Sequence, residues 1–407
     1  MRPAALSAEA AREQPLARGL VLLLAVAVGA TVANLYYIQP LLNVVGADFG
    51  VSDTAAGLLV TCSQVGYVLG LALLVPLGDL RERSGLIGTL LLGAGAGLAV
   101  CAAAPAFAVL AAGLIVVGVL SCVTQIVVPF AATLAAPHER GSVVGSVMSG
   151  LLIGILGARI VSGLVAQLGG WRLMFGLASA AMFALALLLR RVLPRIAPED
   201  PMPYPEALRS VLELVGAESV LRQRMALAVF QMAGFSVLWT SIAFLLGGPP
   251  YHYGEAVIGL FGLAGVAGAL AAPVAGRLAD RGHGRIALTA FLLATLVSWG
   301  LLAAGGSSLI ALIAGIALLD LGIQGAQISN QTRIYALRPE ARNRLTTAYM
   351  VSLFLGGVLG SLLAASVYGA AGWDATCALG AALAAAGIVV WVITERHHRP
   401  TDDLARA

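Results

Sequence analysis

The chain has 407 residues, of which 59% are hydrophobic and only 11% are charged, and its formal net charge is +4. Soluble domains carry roughly 25% charged residues, so this composition excludes a soluble globular protein, a disordered chain and a nucleic-acid-binding protein. It predicts a protein that crosses a membrane many times.

Twelve apolar runs follow one another along the chain, and each has about the 20 residues that a transmembrane helix needs. They are rich in Leu, Ala, Val and Gly without an alternation of period two, which favours helices over the strands of an outer-membrane barrel. We therefore predict an all-α membrane protein with twelve spans, numbered here from first to twelfth. The spans cover 19–45, 54–77, 86–104, 106–134, 142–167, 171–192, 224–247, 255–275, 286–304, 307–332, 345–369 and 373–394.

Arginine is concentrated in the loops that follow even-numbered spans and near both ends of the chain. The loop after the second span holds Arg81 and Arg83, whereas the loop after the first holds Asp48 and Asp53 and no arginine. Loops rich in positive charge stay in the cytoplasm. The pattern predicts a multi-pass protein of the bacterial inner (plasma) membrane with both termini in the cytoplasm.

The chain also divides into two halves. Residues 193–221 are rich in proline at first and then amphipathic, which predicts a cytoplasmic linker with a short surface helix. This linker separates an N-terminal six-helix bundle, 1–192, from a C-terminal bundle with a short tail, 222–407. Residues 137–140 and 170–171 have counterparts at a constant offset in the second half, which indicates an internal repeat.

The loop after the second span reads Gly78-x-Leu80-x-Glu82-Arg83-x-Gly85. It resembles the signature loop of the major facilitator superfamily, usually G-x-L-a-D-R-x-G-R-R. A second copy follows the eighth span and includes Gly276, Asp280 and Arg281.

The resemblance covers essentially the whole chain. It implies two pseudo-symmetric six-helix bundles, a cavity between them and alternating access by rocking of one bundle against the other. It also implies that both signature loops act as cytoplasmic gates. The segments 34–41 and 320–333 are similar to the bacterial branch that exports drugs, sugars and nucleosides.

Some residues depart from the superfamily pattern. Glu82 replaces the usual Asp, the first span has no acid and the fourth span has no arginine. A proton-coupling site therefore cannot be carried over directly from the known antiporters.

Only two formal charges lie deep in the spans, Arg159 in the fifth and Asp320 in the tenth. A charge at the centre of a bilayer costs ~2.5–3.5 kcal/mol and needs a partner or an aqueous cavity. Asp320 is either a protonatable coupling site or one half of a fixed ion pair with Arg159, and the sequence leaves both interpretations open.

The tenth span carries four polar residues on one stripe, because their spacing is i, i+4, i+7 and i+11. The stripe faces either the central cavity or a neighbouring helix with which it forms hydrogen bonds; we prefer the cavity. It consists of Asp320, Gln324, Gln327 and Gln331.

Further polar and aromatic side chains in other spans are candidates for the same cavity, although each alone is more often a packing residue. In the first span Pro40 predicts a kink with a freed backbone carbonyl, and we prefer Tyr37 over Tyr36 because Asn34 precedes it by three. The candidates are Asn34, Tyr37, Gln39, Gln64, Tyr67, Gln125, Gln231, Trp239 and Tyr349. A cavity with neutral hydrogen-bonding groups and one acid suits an uncharged or cationic amphiphilic substrate.

The sequence has no phosphate-binding glycine loop followed by Lys, no metal-ligand cluster and no nucleophile–His–acid set. We therefore expect no enzymatic activity, no metal and no cofactor. The expected function is proton-coupled efflux of a small organic molecule by a monomer in the lipid bilayer. The alternatives are an uptake symporter, a facilitator, or a membrane sensor of the same fold that does not transport.

Overall fold

The structure is a computed structural model. It describes residues 16–136, 138–196, 203–265, 283–335, 337–338 and 342–397.

Regular structure within these residues is helical, and eight helices are long and apolar enough to cross a membrane. Two of the eight, Arg140–Val192 and Arg342–His397, each contain two predicted spans. The bends between these spans lie at Gly170 and Gly372, where φ is 80° and 72° and glycine is favoured. With the two shorter apolar helices that begin at Arg18 and Glu255, the helices correspond in order to the twelve predicted spans, which confirms the fold class.

The helices have the following bounds. In the first half they are Arg18–Ala33, Gln39–Leu41 (3₁₀), Leu42–Phe49, Asp53–Leu73, Leu77–Leu80, Arg83–Ala102, Phe107–Ser121, Thr124–Leu134 and Arg140–Val192. In the second half they are Ser219–Gly247, Glu255–Leu260, Phe261–Gly265 (3₁₀), Gly284–Ala304, Leu309–Tyr335 and Arg342–His397.

The first span is broken where proline predicts a kink. Its α-helix ends at Ala33 and resumes at Leu42 after a 3₁₀ turn that contains Pro40. The backbone carbonyl of Tyr37 leaves the helical pattern and accepts a hydrogen bond of 2.6 Å from the Ser162 hydroxyl of the fifth span. Non-helical backbone inside a membrane is tolerated where protein groups satisfy it in this way.

The two halves pack against each other on the side that carries Asp48, which we call the Asp48 side. The second span runs antiparallel to the eleventh, with 2.9 Å between the hydroxyls of Thr61 and Ser361. Nearer the Asp48 side, Gly57 lies against Ala365 so closely that a Cβ at this glycine would be 2.7 Å from the alanine Cβ.

The same side is closed by two other helix pairs. Asn43 Nδ2 of the first span donates to the carbonyl of Ala243 in the seventh span at 2.6 Å. The fifth and eighth spans approach at Gly163, where a Cβ would collide with the carbonyl of Glu255.

The opposite side, which we call the Arg83 side, is packed differently. Among the described residues, the fourth and fifth spans make almost no close contact with the tenth and eleventh. Across the ranges that the structure describes, the contacts that close the space between the halves therefore lie mainly on the Asp48 side.

A helix over Tyr204–Ala217 lies within the predicted linker and contacts both halves. The Tyr204 hydroxyl donates to the Leu73 carbonyl at the end of the second span, at 2.7 Å. Glu218, just after the helix, forms a 2.7 Å ion pair with Arg338 beyond the tenth span. The boundaries of the two bundles, 1–192 and 222–407, stay a prediction.

Candidate functional site

Arg159 of the fifth span lies in a box of aromatic rings at the interface between the halves. Its guanidinium carbon is 3.7 Å from the ring centre of Trp239, 4.9 Å from that of Tyr36 and 5.7 Å from that of Phe235. Its Nε donates to Gln39 Oε1 at 2.8 Å, and the residue is only 2% exposed. Contacts between a desolvated cation and ring faces are worth about 2 kcal/mol or more. Because Phe235 and Trp239 belong to the seventh span, Arg159 holds the two halves together.

Asp320 lies on the other side of the interface and shares a neighbour with Arg159. The indole N–H of Trp239 donates to Asp320 Oδ1 at 3.4 Å, and Asp320 is 5% exposed. No nitrogen–oxygen distance between Arg159 and Asp320 is short enough for an ion pair. Trp239 contacts both residues.

Glycines of the eighth span allow it to lie against both charged residues. A Cβ at Gly259 would collide with the backbone carbonyl of Arg159, and one at Gly265 would collide with Asp320 Oδ2. The broken first span and the eighth span, which changes to 3₁₀ geometry at Phe261, therefore both line the cluster. Discontinuous helices of this kind often form the substrate and ion sites of transporters.

The polar stripe of the tenth span points away from the ninth span. On the opposite face of the helix, Gly322 and Gly325 pack closely against Phe291 of the ninth span. Asp320 faces Trp239, and the three glutamines are partly exposed. These are Gln324, Gln327 and Gln331. This orientation supports the cavity interpretation, which stays a prediction.

Two other candidates, Gln39 and Trp239, join Arg159 and Asp320 in one cluster. In the first span Tyr36, rather than the preferred Tyr37, lies over Arg159. Phe235 of the seventh span, which the sequence does not single out, also lies beside Arg159. Its spacing of i, i+4 from Trp239 is the one signal in the sequence that could have identified it.

The remaining candidates lie elsewhere among the described residues. Asn34 donates to the Ser121 hydroxyl within the first half at 3.2 Å, and Gln64 donates to Ser236 across the interface at 3.1 Å.

Gln125 donates to the Tyr67 hydroxyl at 3.3 Å, and the Tyr67 ring packs on Phe354 with 4.5 Å between ring centres. Tyr349 is buried, and Gln231 faces the interior of the second half, beside Trp299.

The first signature loop forms contacts within the first half. Glu82 caps the third span, because its two carboxylate oxygens accept from the backbone N–H groups of Ser84 and Gly85, each at 2.8 Å. Arg83 Nε donates to the Gly78 carbonyl at 2.8 Å. The residues of the second copy, Gly276, Asp280 and Arg281, lie outside the described residues. The gate role of both loops stays a prediction.

Replacement of Glu82 by Ala should lower the stability of the third span by about 0.5–2 kcal/mol, the usual loss for a helix N-cap. Partial burial opposes ionisation of Glu82, but its hydrogen bonds with Ser84 and Gly85 outweigh burial and lower its pKa. The stabilisation is therefore present above the ordinary pKa of a glutamate and is lost as the pH falls through the lowered value. Thermal unfolding of the parent protein and of Glu82→Ala in detergent, at pH 7 and at acidic pH, measures this stabilisation. If the substitution had the same effect at both pH values, the ionised Glu82 side chain would not be the stabilising cap.

Comparison with known proteins identifies the family. The profile described as Major Facilitator Superfamily matches residues 22–335 and, in a second match, 229–407. The chain belongs to the Major Facilitator Superfamily. The uncharacterized transporter YgaY of Escherichia coli K12 is 48% identical over 376 residues, which are 92% of this chain and 95% of YgaY. The inner membrane transport protein YnfM of the same strain is 28% identical over 64% of this chain and 63% of its own length.

Solved structures of this superfamily share the fold. The D-xylose–proton symporter has a TM-score of 0.73 at 15% identity and covers 91% of this chain and 96% of its own. A bacterial homologue of the human lysosomal transporter Spinster, inward-facing and occupied, has a TM-score of 0.70 at 15% identity, covering 92% and 94% of the two chains. The superfamily membership and the membrane-embedded transporter fold predicted from the sequence are thereby confirmed.

Proposed function

We propose that this protein is a proton-coupled exporter of a small organic compound. The observation that carries the proposal is the cluster of Arg159, Trp239 and Asp320, which spans the interface between the halves. A buried acid whose charge affects how the halves meet would allow a proton to bias the movement between them. Asp320 is the only Asp or Glu among the described residues that lies buried at the centre of a span.

The environment of Asp320 favours a titrating role over a fixed structural one. A purely structural buried acid is normally paired directly with a cation, because an unpaired buried charge is costly. Asp320 has one long hydrogen bond from Trp239 and no ion pair with Arg159. It can therefore take up a proton without first breaking a salt bridge.

The position of Arg159 links that proton to movement. Opening the Asp48 side would draw the fifth span away from the seventh and eighth, and Arg159 would leave the faces of Trp239 and Phe235. An ionised Asp320 attracts Arg159 and opposes this separation, whereas a protonated Asp320 does not. With the Arg83 side in the cytoplasm, as the arginines predict, neutralisation of the Asp320 charge would favour opening to the outside.

The substrate that fits this cluster best is small, amphiphilic and uncharged or cationic. Ring faces and amide groups supply apolar area and hydrogen bonds, and Asp320 supplies one negative charge. A cationic substrate would have to displace the proton from Asp320 and compete with Arg159 for the aromatic rings. Such competition is a direct route to exchange of substrate for proton.

The test uses purified protein in proteoliposomes with a panel of cationic drugs, nucleosides and sugars. If the protein is an exporter, the proteoliposomes should accumulate a panel compound only when a proton gradient drives protons in the opposite direction. Equal movement with and without the gradient would instead indicate a facilitator, and accumulation with a proton gradient of the same direction would indicate a symporter. Saturable binding without any flux would support a sensor and overturn the proposal.

A further inference from the structure

The C-terminal half contains an internal cavity that is separate from the Arg159 cluster. It lies between the seventh, ninth and twelfth spans, and the empty space among its lining residues, part of it open to the surroundings, measures about 260 Å³. Phe230 and Ala384 are its partly exposed members, so the mouth lies between them. The enclosed part has room for only one water-sized group.

Two buried polar atoms of residues in the cavity wall have no hydrogen-bond partner among the described residues. They are the indole Nε1 of Trp299 and the amide Oε1 of Gln231, in side chains that are 1% and 7% exposed. The Trp299 ring is fixed in place, because it packs so closely on Gly380 that a Cβ there would collide with it. Leaving a buried donor or acceptor unsatisfied destabilises a protein, so an empty cavity would leave two such groups without compensation.

The chemistry of the two atoms defines the occupant. Trp299 Nε1 is only a donor and Gln231 Oε1 is only an acceptor. A group that satisfies both must accept one hydrogen bond and donate another in a space of water size. A hydroxyl does this, whereas an ammonium lacks the acceptor and a carboxylate lacks the donor.

We propose that this cavity binds a hydroxyl group, either that of water or that of a small alcohol or phenol whose apolar part lies in the mouth. The proposal does not depend on proton coupling or on the direction of transport. It also gives Gln231 a role other than the substrate contact expected from the sequence.

The chain offers a variant that fills the cavity without a collision. A methyl group at Gly234 would be 3.9 Å from both Nε1 and Cζ2 of Trp299, which is an ordinary contact distance. Gly234→Ala should therefore expel the hydroxyl. Gly300→Ala on the ninth span is the matched control, because no described residue lies within 4 Å of a Cβ at that position.

Indole N–H resonances of the full-length protein labelled with ¹⁵N-tryptophan test the proposal. The chain has five tryptophans, and Trp299→Phe identifies the signal of Trp299. We expect this proton to resonate downfield, as for a hydrogen-bonded indole, and to move upfield in Gly234→Ala but not in Gly300→Ala. If Gly234→Ala does not fold, Gln231→Leu replaces it in the experiment. This variant removes the second hydrogen-bonding partner of the hydroxyl and should also shift the Trp299 signal.

Titration with phenol and with ethanol distinguishes the two sources of the hydroxyl. A saturable shift confined to Trp299 would show that the site takes an alcohol or phenol. A downfield signal that neither compound changes would assign the hydroxyl to water. A Trp299 signal at the position of a free indole, unchanged in Gly234→Ala, would show that the cavity is dry and would overturn the proposal.

Discussion

Substitution of Arg159 by Lys should reduce transport on the order of tenfold or more in a protein that still folds. Lysine keeps the positive charge, but its compact ammonium cannot stack flat on Trp239 while it also donates to Gln39. Loss of a desolvated cation–π contact of about 2 kcal/mol corresponds to more than a factor of ten. Initial rates in proteoliposomes, normalised to reconstituted protein, measure the effect.

Arg172 provides a matched control for that substitution. Like Arg159 it contacts an aromatic ring, with 4.2 Å to the ring centre of Trp171, and it also forms a 2.6 Å ion pair with Asp48. Its side chain is 45% exposed, and exposed pairs of this kind contribute about 0–1 kcal/mol. Arg172→Lys should leave transport nearly unchanged. Equal losses in the two variants would mean that the cluster at Arg159 has no special role.

Substitution of Gly57 by Leu should open the Asp48 side. In the closed state a Cβ at this position would lie 2.7 Å from Ala365, so a larger side chain forces the second and eleventh spans apart. Overpacking costs about 1–3 kcal/mol, which would shift the equilibrium between the two states by roughly 5- to 150-fold. Labelling of Ser361→Cys by a membrane-impermeant thiol reagent from the Asp48 side reports the change, because Ser361 is fully buried in the closed state.

Gly176→Leu is the control for this experiment. It introduces the same side chain into the sixth span, where no atom of the part of the chain that the structure describes lies within 4 Å of a Cβ. A protein with both Gly176→Leu and Ser361→Cys should be labelled to the same extent as a protein with Ser361→Cys alone. If Gly57→Leu also left labelling unchanged, the contact between the second and eleventh spans would not control access from the Asp48 side.

The sequence is sufficient to predict the architecture because its signals are local. Each span is a long apolar run, the arginine pattern follows the loops, and Pro40 breaks the first helix where its missing N–H requires. The two deep charges, Arg159 and Asp320, are equally visible, since charged residues are rare in membrane spans.

The composition of the site depends on which helix faces lie together, and one sequence does not contain that information. Tyr36 and Tyr37 are neighbours in the chain, but the break at Pro40 decides which ring meets Arg159. Phe235 looks like an ordinary apolar residue until the fifth span packs against the seventh. The role of Trp239 as a shared neighbour of both charges is likewise a tertiary feature.

Gln231 is the opposite case, because the sequence makes it a candidate for the substrate cavity and the structure places it elsewhere. A glutamine in a membrane helix predicts either a substrate contact or an interhelical hydrogen bond, and its angle on the helix relative to Trp239 does not decide between them. In the structure its side chain is buried and lines a cavity of the second half together with Trp299. The glycines at 259 and 265 are also uninformative in sequence, although their missing side chains allow the eighth span to reach the cluster.

The most direct test of the central claim is proton movement in proteoliposomes containing the parent protein, Asp320→Asn or Asp374→Asn. Asp374 is the control, because it is an exposed acid of the same half that lies outside the cluster. A compound that the transport panel identifies as substrate should evoke a pH change with the parent protein and with Asp374→Asn, and none with Asp320→Asn. If Asp320→Asn moved as many protons per substrate as the parent protein, Asp320 would be structural and the proposed coupling would be wrong.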